Sequence, residues 1–368
     1  MAKNNDNIND RLSVYREKQS LKAKDMLLKK NNWFYVALLL ISLVTLMVAW
    51  LIESNTEGVE TKAFDGFDIK YVYVILATMV LIGVLNTIGD YIIIYKKQKI
   101  RKFKSVVGSV MTRNYYQLSQ ISLCNAEALN AEYLTSCGVE KDIARNMSAN
   151  KTLASKIALV VYSLILIVIG TIFTIKSTNI LLYIFAILSF LIIFALVLTV
   201  LYFDKYKAKY LKFLGAFCKF LYKCKLIKDY EKLYNNLLAK LMYYGLSIKF
   251  DKMYLVVQIV CGFITRFLKH ILLFFILSAF NYVSWSLFVE VLFKCMILDL
   301  LLEIIPTPSG LLCYEILFLT LFRNTFVFGY VLYGMVGYRI ITYFIVGVAF
   351  AVGYFIGIRK RLKSIKNK

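Results

Sequence analysis

Apolar residues run almost unbroken through 33–52, 69–95, 152–175, 179–203, 253–280, 282–305 and 311–357 of this 368-residue chain, and mixed or basic stretches separate them. Each run as far as 305 reaches the roughly 20 residues that a helix needs to cross about 30 Å of hydrocarbon, so the pattern predicts an all-α polytopic integral membrane protein. With 60% of residues hydrophobic, no soluble core accounts for such runs. The first run follows a polar segment, 1–32, and lacks a small-residue cleavage site, so it is expected to be an uncleaved anchor.

Charge orients the spans. Residues 1–32 carry eight Lys/Arg against four acids, 96–104 six against none, 204–252 twelve against four, and the tail 358–368 is basic again, whereas 53–70 hold five acids and two lysines. Cytoplasmic loops are rich in Lys/Arg, which puts both termini, 96–104 and the loop 204–252 inside and 53–70 outside a cell (plasma) membrane. The net charge of +23 is thus read as topology first. The expected partner of the basic segments is the anionic inner leaflet, not nucleic acid, with 205–234 either an amphipathic surface helix or a solvated loop.

Parity shapes the rest. Segment 105–151 lies between an inner loop and a helix that starts inside, so it must enter and leave on one side, as a re-entrant hairpin or a surface pair of helices. The chain is inside near 305 and at 358, so 306–357 crosses an even number of times. About eight spans result, with re-entrant or broken segments near 105–151 and 306–324. The organisation is a basic segment 1–32, a transmembrane domain 33–357 and the tail 358–368.

Both prolines of the chain, Pro306 and Pro308, fall in "IIPTPSGLLCYE". Proline lacks an N–H and disfavours helical geometry before it, so the pair should end the 282–305 helix, with Gly310 permitting the turn. A helix starting near 309–311 would expose free N–H groups of the kind that hold anions at broken helices in transporters. An ordinary tight loop is the competing reading.

The apolar runs also carry charges. Arg266, Lys269 and His270 fall at i, i+3 and i+4 on one face of 253–280, with Arg266 near mid-bilayer, and such a face should point into the bundle. On 282–305, Glu290 and Lys294 can neutralise one another, whereas Asp299 and Glu303 project about 180–220° away at 100° per residue. Asp90, Glu315, Arg323 and Arg339 complete the candidates. These charges either fix helix register or line a path for a phosphate headgroup.

The stretch Pro306–Glu315 resembles the P-x-P-G-G-x-G-x-x-E signature of the lysylphosphatidylglycerol synthetase/flippase transmembrane region, the membrane half of the multiple peptide resistance factor. Pro306, Pro308, Gly310 and Glu315 are in register, and Ser309 and Leu312 replace glycines. Arg339 in "GYRIITYFIVGV" stands where that pattern has an arginine, and Tyr133 and Gly138-Val139 fit a weaker upstream motif that has lost its glycines and proline. The resemblance covers roughly 33–357. It implies an inner-to-outer-leaflet flippase for an aminoacylated phospholipid such as lysylphosphatidylglycerol. In fused members a synthase domain follows, and the short tail here implies translocation without synthesis, substrate coming from a separate lipid aminoacyl synthase. Arg266 and Lys269 would hold the phosphate, and Asp299, Glu303 or Glu315 the ammonium.

No cofactor or catalytic residue is expected. Seven cysteines without a CxxC and a single histidine give no zinc pattern, and GxxxxGK[ST] is absent, so energy must come from the lipid gradient, the membrane potential or an ion. One alternative is a lipid- or prenyl-processing membrane enzyme, for which "DLLLE" (299–303) offers two carboxylates on one face. Another is a non-transporting membrane scaffold.

Overall fold

A computed structural model describes residues 68–98, 103–118, 123–173, 179–203, 205–225, 229–279, 285–305, 313–325 and 328–345, and isolated positions between 13 and 51. Every regular element among them is helical. In chain order these are α1 (Lys70–Gln98), α2 (Phe103–Leu118), α3 (Leu123–Ser136), α4 (Lys141–Phe173), α5 (Ile180–Leu201), α6 (Lys207–Lys223) and α7 (Tyr230–Phe250). They continue as α8 (Lys252–Ala279), a 3-10 turn Trp285–Leu287, α9 (Phe288–Ile304), α10 (Cys313–Phe322) and α11 (Phe328–Arg339), which runs on as a π-helix over Ile340–Ile345.

Four helices are long and apolar enough to cross a membrane: α1, α4 through Gly170, α5 and α8. Their outward faces are what lipid requires, with Leu181, Ile184, Phe185, Leu188, Leu191 and Ile192 of α5 all exposed. Of about eight expected spans, four stand among the described residues, and of the first run, 33–52, only Val44, Met47 and Leu51 are described.

Two of the expected spans change character. Helix α9 has 17 residues, and every position from Val291 to Leu298 is buried. Thr325, just past α10, hydrogen-bonds Glu290 at 2.8 Å and Lys294, while Glu303 at the other end of α9 pairs with Lys156. So α10 runs back alongside α9 toward the Ala279 end of α8. Lys156 is about 23 Å along α4 from Lys141, and Arg266, beside Glu303, is about 21 Å along α8 from Lys252, at 1.5 Å per residue. The α9–α10 hairpin thus stops halfway along its neighbours, where the sequence suggested a complete crossing. It is the buried centre of the fold: Phe293, Met296 and Ile297 pack with Leu159, Leu273, Phe318, Phe322 and Met335 from four other helices.

A second hairpin lies along α4. In α2 and α3, Ser109 bonds Asn130, and a side chain on Gly108 would collide with the Tyr133 ring, so the two helices lie antiparallel and close. Asn130 in turn bonds Ser148 at 3.0 Å and Arg113 reaches Thr152 at 3.3 Å, which lays the pair along the first half of α4. A short turn with Gly138 at φ 82° closes α3 onto α4; the Gly138 and Val139 N–H groups bond the carbonyls of Thr135 and Leu134, a left-handed helix end that glycine makes without strain. From Arg113 to Leu118 is about 8 Å more, bringing the tip of this hairpin to the height of Lys156. The segment 105–151 therefore forms an α2–α3 hairpin plus the start of α4.

The basic stretch 204–252 is helical too. Asp229 caps α7 through the Lys232 N–H at 2.9 Å, and α7 packs on α4, with Tyr243 donating to the Arg145 carbonyl and Tyr244 to Glu127. Helix α6 rests on α7 through its buried Cys218.

Candidate functional site

Charged side chains from α4, α8 and α9 meet at mid-span. Arg266 donates to Asp299 Oδ2 at 3.0 Å and to the Ser155 carbonyl and hydroxyl at 3.3 Å each, and it lies 3.9 Å from Glu303. Lys156 pairs with Glu303. His270 places Nε2 3.2 Å from Asp299 Oδ2 and Nδ1 2.8 Å from the Tyr162 hydroxyl. These positions share the facing stripes of α4 (Ser155, Lys156 and, two turns on, Tyr162) and α8 (Arg266, His270), and Gly262 against Ala158 lets the two helices approach.

The cluster is partly open. The side chains of Asp299, Lys156 and Glu303 are 34%, 32% and 21% exposed, although they meet halfway along α4 and α8. Charges there cost a few kcal/mol on the mildest scale, so lipid-facing helices do not keep them half-covered without pairing. Lys269 is exposed at the cluster's edge, next to Arg266 and His270 but without a direct partner among the described contacts. The expected cationic face is therefore split: Arg266 and His270 point inward and Lys269 outward.

Asp299 and Glu303 both face α8 and α4, as their rotation from Glu290 suggested, and Glu290 pairs with Lys294 at 2.8 Å. Pro306, Pro308 and Gly310 lie outside the described residues; the helix before them ends at Ile304 and the next begins at Cys313. Glu315 occupies the first turn of α10, bonded through Oε1 to Arg339 Nε at 2.9 Å, while its buried Oε2 has no partner among the described residues. The Arg339 guanidinium lies 3.9 Å over the Tyr314 ring, and Tyr314 stacks on Tyr338. The motif's carboxylate and the arginine 24 residues later thus meet. Arg323 is exposed beyond α10.

Toward the Lys252 end of α8 lies a second polar group. Asp90 of α1 accepts from Lys151 at 2.6 Å through Oδ2, and through Oδ1 from the Tyr254 hydroxyl at 2.8 Å and Gln258 at 3.1 Å. Lys151 also donates to the Asn86 carbonyl at 2.8 Å. Gln258 can reach because Gly89 leaves the space that its side chain fills.

Sequence reasoning flagged Asp90 but missed Lys151, Lys156, Tyr162, Tyr254 and Gln258. Lys156 had a signal, being the only charge in the run 152–175. The others did not, because a tyrosine or glutamine in a helix shows its partner only when the neighbouring helix is in place. Comparison of the chain with models of protein families, with curated proteins and with solved structures finds no match.

Proposed function

We propose that the chain is a multi-pass cell-membrane transporter that moves a phospholipid from the inner to the outer leaflet, in the manner of the flippase region that its proline–glutamate motif resembles. The observation that carries this reading is the half-covered ion cluster at mid-span. A phosphate can take the place of Asp299 on Arg266, and an ammonium can take the place of Lys156 on Glu303, so a headgroup bearing both charges exchanges for pairs already formed. Aminoacylated phospholipids such as lysylphosphatidylglycerol have that chemistry. A separate synthase would supply them.

With both termini and the basic segments inside, the run 33–52, α1, α4, α5, α8 and α11 make six crossings, and α2–α3 and α9–α10 enter from opposite faces as re-entrant hairpins. This replaces a count of eight and keeps the same parity. Opposed broken segments at mid-membrane are a recurring arrangement for transporter sites. The enzyme alternative draws less support, since Asp299 and Glu303 are engaged by Arg266, His270 and Lys156.

The test is outer-leaflet exposure of lysylphosphatidylglycerol, read with an impermeant amine-reactive label on cells that express a synthase domain with this protein. Exposure should rise with the wild type and fall at least fivefold toward background with Arg266→Ala, Asp299→Ala or Glu315→Ala at equal protein level. Unchanged exposure in the presence of well-expressed wild type would exclude that lipid.

A further inference from the structure

We infer that the mid-span cluster takes up a proton together with its anion, and that His270 is where the proton sits; this rests on the anionic-headgroup reading above. His270 is the chain's only histidine, and it is buried. Both ring nitrogens are engaged, Nδ1 with the Tyr162 hydroxyl and Nε2 with Asp299. The neutral ring can donate from Nε2 to Asp299 while Nδ1 accepts from the tyrosine; the charged ring can donate from both, with the tyrosine oxygen as acceptor. Both ring nitrogens therefore keep a hydrogen-bond partner in either protonation state. Imidazole is also the side chain whose charge ordinarily changes between pH 5 and 8.

The surroundings determine what the proton does. Tyr162 of α4 and Asp299 of α9 touch the ring, and around Asp299 stand Arg266 and, at the exposed edge, Lys269 from α8, the Lys156–Glu303 pair of α4 and α9, Cys295 of α9 and Tyr338 of α11. Counted as full charges, the cations Lys156, Arg266 and Lys269 less the carboxylates Asp299 and Glu303 leave 3 − 2 = +1. A proton on His270 makes this +2. An anion in a site of low effective dielectric is held more tightly by the second charge, and by reciprocity the anion tightens the proton.

Geometry supplies the link between the two events. Arg266 and His270 share one oxygen, Asp299 Oδ2. A phosphate that captures Arg266 frees Asp299 from its guanidinium, and the carboxylate then keeps a single cationic partner only if His270 is protonated. The added proton forms its bond at Nδ1, the nitrogen that faces Tyr162 in the neutral ring, and leaves when the anion does, so each cycle carries one anion and one proton and no bond other than N–H forms or breaks.

The experiment is calorimetric titration of the full-length protein in micelles with dihexanoylphosphatidylglycerol, whose phosphodiester does not titrate near neutrality, in buffers of differing ionisation enthalpy at pH 5.5 and 7.5. Binding should take up as much as one proton at pH 7.5 and tighten on acidification by up to about tenfold per pH unit, the limit for one linked proton. His270→Gln should bind without proton uptake and with the same affinity at both values. His270→Lys, permanently charged, should bind tightly at both without uptake, and it carries the test should the glutamine variant fail to fold. Wild-type binding without proton uptake, or the same uptake in His270→Gln, would overturn the coupling and leave the headgroup reading standing. No binding at either pH would remove the headgroup reading itself.

Discussion

Among single residues, Asp251 and Asp90 make opposite demands on pH and pairing. Asp251 caps α8, accepting from the Tyr254 N–H at 3.0 Å with Lys96 and Lys97 at 3.7 and 3.6 Å. Burial pushes its carboxyl up, but that hydrogen bond and the two lysines outweigh it and hold the group below the usual carboxylate range. The folded protein therefore binds this proton more weakly than the unfolded chain does, so the cap's stabilisation is complete at neutral pH and fades as pH falls from the ordinary carboxylate value through the depressed one. Asp251→Asn should flatten the acid limb of a thermal-stability profile between pH 6 and 3 and, since Asn still caps the helix but pairs weakly with the exposed lysines, lower neutral stability by less than about 1 kcal/mol. At Asp90 the pair is sealed. Asp90→Asn should leave Lys151 as an uncompensated buried charge and cost about 3–5 kcal/mol, whereas Asp90→Leu with Lys151→Met should restore much of it; melting of the detergent-purified variants separates the two. Asp90 could be flagged from sequence because a lone carboxylate in an apolar run is conspicuous, while Lys151 passed unnoticed in a segment already polar.

For the helices themselves, periodicity disclosed composition but not reach. The runs 69–95, 179–203 and 253–280 became α1, α5 and α8 within a few residues, since uniform apolarity over a bilayer's thickness has one solution. The run 282–305 has the same apolar content, yet α9 turns back, because what distinguishes it is burial by other helices and not hydropathy. The close contact that buries it is specific: a side chain on Gly170 would overlap the Phe293 ring, so Gly170→Leu should displace that ring and cost about 1–3 kcal/mol, read as a lower melting temperature. Helix α6 is the element the sequence left undecided between leaflet and loop. It exposes Tyr206, Phe213, Phe217 and Phe220 along one stripe beside Lys205, Lys209 and Lys212, the composition of a helix lying in a lipid interface. Phe217→Trp in vesicles with brominated phosphatidylglycerol should have its fluorescence quenched, and an unquenched indole would assign α6 to water.

Across the whole molecule, the reading of α9–α10 as a hairpin has a direct chemical check. In a background without other cysteines, Ile305→Cys should resist an impermeant maleimide applied from either face, whereas Lys252→Cys and Asp68→Cys should each be modified from one face only, and from opposite ones. Modification of position 305 from the Lys252 face would mean that α9 crosses completely. Parity in the sequence offered a hairpin at 105–151, whereas over 282–305 it suggested a full crossing with a broken segment only near 306–324; that the ends of α2 and α9 reach the same height is set by the Arg113–Thr152 and Lys156–Glu303 contacts. That relation brings the end of α2, at Leu118, and the end of α9, at Glu303, level with Lys156 halfway along α4. Helix ends at one shared depth leave their last carbonyls without helical partners in a single layer, where neighbouring protein and not lipid has to satisfy them.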